Sequence, residues 1–196
     1  MSRIFIFDLG NVVFPLEMKE FYTWIDSIQT VQNSNFEQEF HDLYFKFERG
    51  DFDPMEYFVK LRNELKLEFE DNTFIEHWLS FWRTETPGIE DVIKKIKAAN
   101  IPLHLLSNTN AIHMDTYFKT KPILEYFDSH FLSYQMHCAK PEPVIYEKVT
   151  KELGADLKQI TFFDDKPENV EAANQFGWNA IVFNNSKQIL DELKKL

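Results

Sequence analysis

Arg3-Ile4-Phe5-Ile6-Phe7-Asp8-Leu9-Gly10-Asn11-Val12-Val13 contains an unbroken apolar run, Ile4 to Phe7, that stops at an acid. A half-exposed strand would alternate apolar and polar residues. A continuous run fits a strand covered on both faces at the centre of a parallel sheet. Gly10 permits a backbone geometry that other residues resist, and Asn11 suits a turn. The stretch therefore puts the carboxylate of Asp8 at the mouth of a sheet. An aspartate after a strand also caps turns, so Asp8 alone does not establish chemistry.

Working outward, 196 residues can hold one ample core, or a core plus a smaller insertion. The 44% hydrophobic content, with 20 Phe, excludes a disordered chain. A formal charge of -11 argues against a surface built for nucleic acid or anionic lipid, both of which need clustered positive charge. A small anionic substrate is compatible with that charge if a metal or a local lysine supplies the attraction. No apolar segment approaches a membrane span, and the four apolar residues before Asp8 are too few for a signal peptide. The expectation is a soluble, cytoplasmic protein. Cys138 is the one cysteine, which rules out an internal disulfide and a Cys-rich zinc site. The histidines show no metal-binding pair on one helix.

After Phe14 the pattern changes to helices with aromatic faces. Met18 to Ile28 carries Phe21, Trp24, Ile25 and Ile28; Phe36 to Arg49 carries Phe36, Phe40, Leu43, Tyr44 and Phe47. Gly50 ends the second helix, Asp53-Pro54-Met55-Glu56 opens a third through Leu65, and a fourth covers about 71–82. Such stripes suit the core of a small bundle, although they can also line a cofactor pocket. Beyond Pro87-Gly88, helix and strand alternate. Helices are expected at 89–99, 144–153, 169–176 and 186–196, with strands at 101–106, 130–134, 160–163 and 180–183. Strands separated by helices imply an α/β fold, a doubly wound parallel sheet with helices on both faces.

In such a sheet, ligands bind beyond the carboxyl ends of the strands. Asp8 falls at one of those ends, Ser107-Asn108 at the next and Asp164-Asp165 at a third. Lys140 lies further past its strand, between Cys138-Ala139 and Pro141-Glu142-Pro143. Each has a plainer explanation: turn formers, a solvated charge, capping acids. Three carboxylates converging on one edge, however, repel unless a cation or a proton relieves them. A site of carboxylates without His or Cys suits magnesium, which completes its shell with water and substrate phosphate. Attack by Asp8 on phosphorus would give an aspartyl-phosphate. Its oxygens would then need magnesium, Lys140, the Ser107 hydroxyl and backbone N–H groups.

On these residues the chain resembles the haloacid dehalogenase superfamily, whose motif stations occur here in order as F-D-L-G-N-V, L-L-S-N-T-N, the lysine of A-K-P-E-P-V-I-Y, and F-F-D-D-K-P-E-N. D-L-G-N-V, L-S-N-T-N and F-F-D-D look like the phosphatase subgroup that includes alpha-D-glucose-1-phosphate phosphatase. The resemblance implies a Rossmann-like core, residues 1–14 and 87–196, and an inserted helical-bundle cap, residues 15–86. It implies that Asp8 is nucleophile and magnesium ligand, with Asp165 a direct ligand, Asp164 acting through a water and Asn169 further out. Ser107, Lys140 and the Asn108 backbone N–H would hold the phosphoryl group. Glu48-Arg49-Gly50 falls at a helix end within reach of the site, which makes Arg49 a candidate substrate ligand; an exposed salt bridge explains Arg49 equally well.

One departure stands out. The family usually places a second Asp two residues after the nucleophile, as acid and base for the leaving group and the attacking water; this chain has Gly10. The Gly10 carbonyl can bind magnesium but cannot move a proton. Acid–base help is typically worth about 100-fold to 10,000-fold, so slower turnover is expected, and phosphomutase activity is disfavoured. The leading reading is a magnesium-dependent phosphatase for a small phosphorylated metabolite, a sugar phosphate by preference. Two others remain: a haloacid dehalogenase, in which the aspartate attacks carbon without metal, and a non-catalytic phosphate-binding or assembly protein. Family dehalogenases usually carry an aromatic residue where Gly10 stands, and the paired acids favour a metal. Substrate identity and oligomeric state are not written in the sequence.

Overall fold

The computed structural model describes residues 3–31 and 33–195. Strand β1 (Ile4–Phe7) leads into helices α1 (Met18–Ser27), α2 (Phe36–Glu48), α3 (Pro54–Asn63) and α4 (Asp71–Leu79). There follow α5 (Ile89–Ala98), β2 (Leu103–Ser107), β3 (Ser129–Leu132) and a short α6 (Ser133–Met136). The chain ends with α7 (Pro143–Leu153), β4 (Ile160–Asp164), α8 (Pro167–Phe176), β5 (Asn179–Val182) and α9 (Ser186–Leu193). Leu196, the expected end of the terminal helix, lies outside the described residues, as do Met1, Ser2 and Gln32, over which the expected core and cap ranges also extend.

The strands pair in the order β3-β2-β1-β4-β5, all parallel, so the apolar run that suggested a central strand is the central strand. Its side chains alternate between two separate covers, because successive residues of a strand point to opposite faces. Phe5 and Phe7 pack with Ile89, Val92, Ile93 and Ile96 of α5 and Ile189 of α9. Ile4 and Ile6 pack with Ile145 and Val149 of α7 and Val170 and Ala173 of α8. Full burial of each such side chain contributes about 1.5–3 kcal/mol.

Strand limits shift from the sequence expectation for local reasons. β2 starts at Leu103, not Ile101, because Pro102 has no N–H for the ladder. β3 stops at Leu132, since Ser133 begins α6 and accepts the Thr109 N–H at 2.9 Å. Between β2 and β3 the chain forms a π-helical turn, His113–Tyr117, and 3-10 turns at Phe118–Thr120 and Pro122–Tyr126.

Helices α1 to α4 form the inserted bundle. Phe21, Phe40, Phe47, Tyr57, Phe74 and Trp78 fill its centre, with Phe47 and Tyr57 stacked at 4.2 Å between ring centroids. The aromatic stripes are thus core, the use expected of a small bundle. The Asp53 cap is reciprocal: its carboxylate accepts the Glu56 N–H at 2.8 Å, and Glu56 accepts the Asp53 N–H at 3.1 Å. Among the described residues no helix is long and apolar enough to cross a membrane.

Candidate active site

The parallel register brings the ends of β1, β2 and β4 to one edge, where three polar residues meet. Asp8 directly follows β1, Ser107 ends β2 and Asp164 ends β4. Lys140 reaches the same point from the loop before α7. Its ammonium lies 2.8 Å from Asp8 Oδ1 and 2.6 Å from Asp164 Oδ2, and donates to the Leu106 carbonyl at 2.9 Å. An ammonium has three protons to give, and this geometry uses all of them. Only 2% of Lys140 is exposed, so the solvated-charge explanation does not hold.

Asn108 sets the lysine in place. Its side-chain oxygen accepts the Lys140 N–H and its amide donates to the Lys140 carbonyl, each at 2.8 Å. The sequence reading gave Asn108 a backbone role only; its side chain joins the end of β2 to the lysine loop. Ser107 is buried, and its hydroxyl donates to the Asn108 carbonyl at 3.3 Å.

Asp164 and Asp165 differ sharply. Asp164 is fully buried, and besides Lys140 it accepts the Lys166 N–H at 2.8 Å and the Asn169 amide at 3.0 and 3.1 Å. Asp165 is half-buried, and Asn11 donates to its Oδ2 at 2.9 Å. Asn11 also accepts the Leu16 N–H at 3.0 Å. It is Asn11, with φ 54°, that takes the left-handed conformation, not Gly10 as the sequence suggested. Gly10 matters for what it lacks: a Cβ there would meet the Trp82 ring at 3.7 Å, an ordinary contact.

The electrostatics follow from this crowding. Burial pushes the Asp8 carboxyl up, Asp164 and Asp165 add to the push, and Lys140 opposes it. Burial alone would lower Lys140, but Asp164 and Asp8 outweigh it and hold the ammonium charged. Burial also raises Asp165, against the Asn11 hydrogen bond. One oxygen each from Asp8, Asp164 and Asp165 lies within 4.8 Å of the others. This all-oxygen donor set, with its carboxylates close enough to repel one another, fits a hard divalent cation such as magnesium.

A cleft of about 100 Å³ opens on these groups. Asp8, Gly10, Asn11, Asn108, Lys140 and Asp165 line it from the sheet side, while Met18, Tyr44 and Glu48 face them from the bundle. Ser107 and Asp164 stand behind this surface. Arg49 does not line the cleft: its guanidinium pairs with Glu142 at 2.5 Å and with Asp51 at 3.6 Å, while its neighbour Glu48 lines it. Glu48 lies four residues after Tyr44, one turn along the same side of α2, but that spacing does not say whether this side enters the cleft.

A family model for haloacid dehalogenase-like hydrolases matches residues 3–177, and the chain belongs to that family. A family enzyme from Bacteroides thetaiotaomicron, solved with magnesium and inorganic phosphate, superposes with a TM-score of 0.80 at 27% identity, over 94% of this chain and 95% of that one. The D-ribitol-5-phosphate phosphatase of Bacteroides thetaiotaomicron is 22% identical over 201 residues, 98% of this chain and 97% of the relative. A sesquiterpene phosphatase of Aspergillus oryzae is 22% identical over 192 residues, 97% and 94% respectively.

Proposed function

We propose that this chain is a magnesium-dependent phosphatase acting on a small phosphorylated metabolite, a sugar or polyol phosphate by preference. The observation that carries the reading is the buried set Asp8–Lys140–Asp164 with Asp165 beside it, at the edge where parallel sheets take ligands. The likeness to an enzyme solved with magnesium and phosphate, and to a polyol phosphate phosphatase, supports it.

Asp8 attacks phosphorus, with Lys140 holding its carboxyl in place, and water later hydrolyses the aspartyl-phosphate. Magnesium, held by Asp8, the Gly10 carbonyl and Asp165, with Asp164 behind, would supply the charge that neutralises the phosphoryl oxygens. Ser107, Asn108 and Lys140 are assigned to the phosphoryl group. For Lys140 this means giving up one of its present bonds. The helical insertion, residues 15–86, acts as the cap that selects the substrate. Arg49 is assigned to holding that cap rather than to the substrate, since its guanidinium is taken by Glu142 and Asp51.

The test is phosphate release from a panel of phosphorylated metabolites with and without magnesium, alongside halide release from a 2-haloacid. Metal-dependent phosphate release is expected. Halide release without metal, or binding of phosphate esters without turnover, would replace this reading with a dehalogenase or a binding protein.

A further inference from the structure

Gly10 leaves the sheet edge without a carboxyl at the position two residues after Asp8, yet the cleft holds another carboxyl in front of it. Among the described residues lining the cleft, Asp8, Asp165 and Glu48 carry carboxyls. Asp8 is assigned to attack and Asp165 to metal. Glu48 remains, and it alone of the three comes from the bundle.

Its position is not left to a loose helix end. The Glu48 carbonyl accepts the Ser133 hydroxyl at 2.5 Å, and that hydroxyl also accepts the Thr109 N–H at 2.9 Å, just past β2. The next residue, Arg49, pairs with Glu142 in the lysine loop. The one after it, Gly50, has φ 75° and lies so close to the core that a Cβ would clash with the Tyr134 carbonyl oxygen. Only glycine tolerates both conditions. Three successive residues therefore fasten the last turn of α2 to the sheet edge, with the Glu48 side chain in the cleft.

We propose that Glu48 is the proton-transfer residue of this site, standing in from the cap for the carboxyl that Gly10 lacks. The inference rests on the phosphatase reading. In the first half-reaction Asp8 Oδ bonds to phosphorus, the bond from phosphorus to the ester oxygen breaks, and that oxygen takes the Glu48 proton. In the second, water bonds to phosphorus and gives a proton to the Glu48 carboxylate, while the bond from Asp8 to phosphorus breaks. The sum is ester plus water to alcohol plus hydrogen phosphate, with Glu48 returned to its acid form.

The surroundings suit that task. Burial raises the Glu48 carboxyl, against Lys166, the Tyr44 hydrogen bond and Lys140, so its proton is held more firmly than on an ordinary glutamate. Tyr22 and Tyr57 also face it, and burial holds both phenols protonated. Tyr44 and Lys166 are raised as well, so neither readily releases a proton near neutral pH.

The experiment compares alkyl and aryl phosphates in the parent chain, in Glu48→Gln, and in Glu48→Gln combined with Gly10→Asp. Glu48→Gln should lower kcat/KM for the alkyl ester about 100-fold to 10,000-fold, and for the aryl ester far less, because a phenolate leaves without a proton. The acidic side of the pH profile, where the parent keeps its proton donor, should be lost. Gly10→Asp should restore the alkyl rate in that background, since a Cβ at position 10 meets only the Trp82 ring at contact distance. Equal losses on both esters, an unchanged pH profile, or no rescue would overturn the role of Glu48. If Glu48→Gln does not fold, the parent decides alone: across esters of graded leaving-group acidity its rate should change little, and a steep dependence overturns the proposal. A parent that cleaves no phosphate ester with magnesium sinks the phosphatase reading itself; active parent with active Glu48→Gln on the alkyl ester sinks only this inference.

Discussion

The sheet edge and the inserted bundle are built on opposite plans. At the edge, buried polar groups are tied to one another: Lys140 spends its protons on Asp8, Asp164 and the Leu106 carbonyl, and Asp164 takes Lys166 and Asn169 besides. In the bundle the interior is aromatic, with Phe21, Phe47, Tyr57, Phe74 and Trp78 packed ring against ring. Even the Tyr57 hydroxyl is buried without a hydrogen-bond partner among the described residues. The polar network fixes geometry at the cost of desolvation, and so suits a reaction centre. The aromatic core depends on shape and area, so its surface can change side chains without losing its fold. Chemistry is thus assigned to the edge and choice of substrate to the bundle, with Glu48 as the one proposed exchange between them.

The strongest way to break that division is at Asp8. Asp8→Asn keeps the shape of the edge while removing the proposed nucleophile, and phosphate release should fall below about 1% of the parent with the thermal transition retained. Turnover above that level would mean that the chemistry lies elsewhere. A smaller effect separates the paired acids. Asp165, with Asn11 as its hydrogen-bond partner, is open to the cleft, whereas Asp164 is enclosed. Asp165→Asn should weaken the magnesium dependence of activity about 10–100-fold, and Asp164→Asn less. The reverse order in magnesium titrations would exchange their roles. Asp164→Asn carries its own signature, a loss of stability, because it leaves the buried Lys140 with one carboxylate fewer.

What was legible in the sequence follows the same division. The edge could be read because a parallel sheet forces residues that follow apolar runs onto one side; Asp8 and Asp164 needed only strand positions to be brought together, whereas Lys140 reaches them from the loop before α7, held there by Asn108. The bundle's core was legible from helical spacing at Phe36, Phe40, Leu43 and Phe47. Its relation to the site was not. Whether Glu48 or Arg49 enters the cleft depends on how α2 ends, and that is decided by Ser133, Glu142 and Tyr134, all more than 80 residues away. The turn between β2 and β3 also escaped, because His113–Tyr117 follows neither helical nor strand periodicity.

The seam between the two regions offers a test by pH. His113 follows Asn110 of the edge, which accepts its N–H at 3.0 Å, and its ring lies 4.5 Å from Trp78 and 5.4 Å from Trp82. Its Nε2 is buried without a partner among the described residues, and burial pushes its pKa from 6.5 to about 3. Below pH 6.5 the unfolded chain gains a proton that the folded chain refuses. The stability linked to this neutral ring is therefore complete above pH 6.5 and declines by about 1.4 kcal/mol per pH unit on acidification toward about 3. Urea midpoints of the parent should fall more steeply than those of His113→Gln between pH 6.5 and 5.5. Parallel slopes would mean that the ring is solvated and that the bundle stands off from the edge.

The smallest effect concerns the clasp that carries Glu48 to the edge. Arg49 and Glu142 are each about a third exposed, at 33% and 28% of their side chains, so water and salt screen their attraction. Glu142→Gln should cost only about 0.2–1 kcal/mol of stability. Its effect on rate has a different origin, since Glu142 sits two residues after Lys140 and its partner sits one residue after Glu48. Loosening the pair should lower kcat severalfold for an alkyl phosphate and leave an aryl phosphate nearly unchanged, if its main role is to keep the Glu48 carboxyl in reach of the leaving oxygen. A uniform loss on both substrates would instead show the pair acting through Lys140 and Asp8, on the sheet side of the cleft. Salt should imitate the substitution, because screening weakens the same half-exposed pair. Added salt that slows the alkyl reaction in the parent but not in Glu142→Gln would then locate the effect at this pair rather than in the general field of an acidic protein.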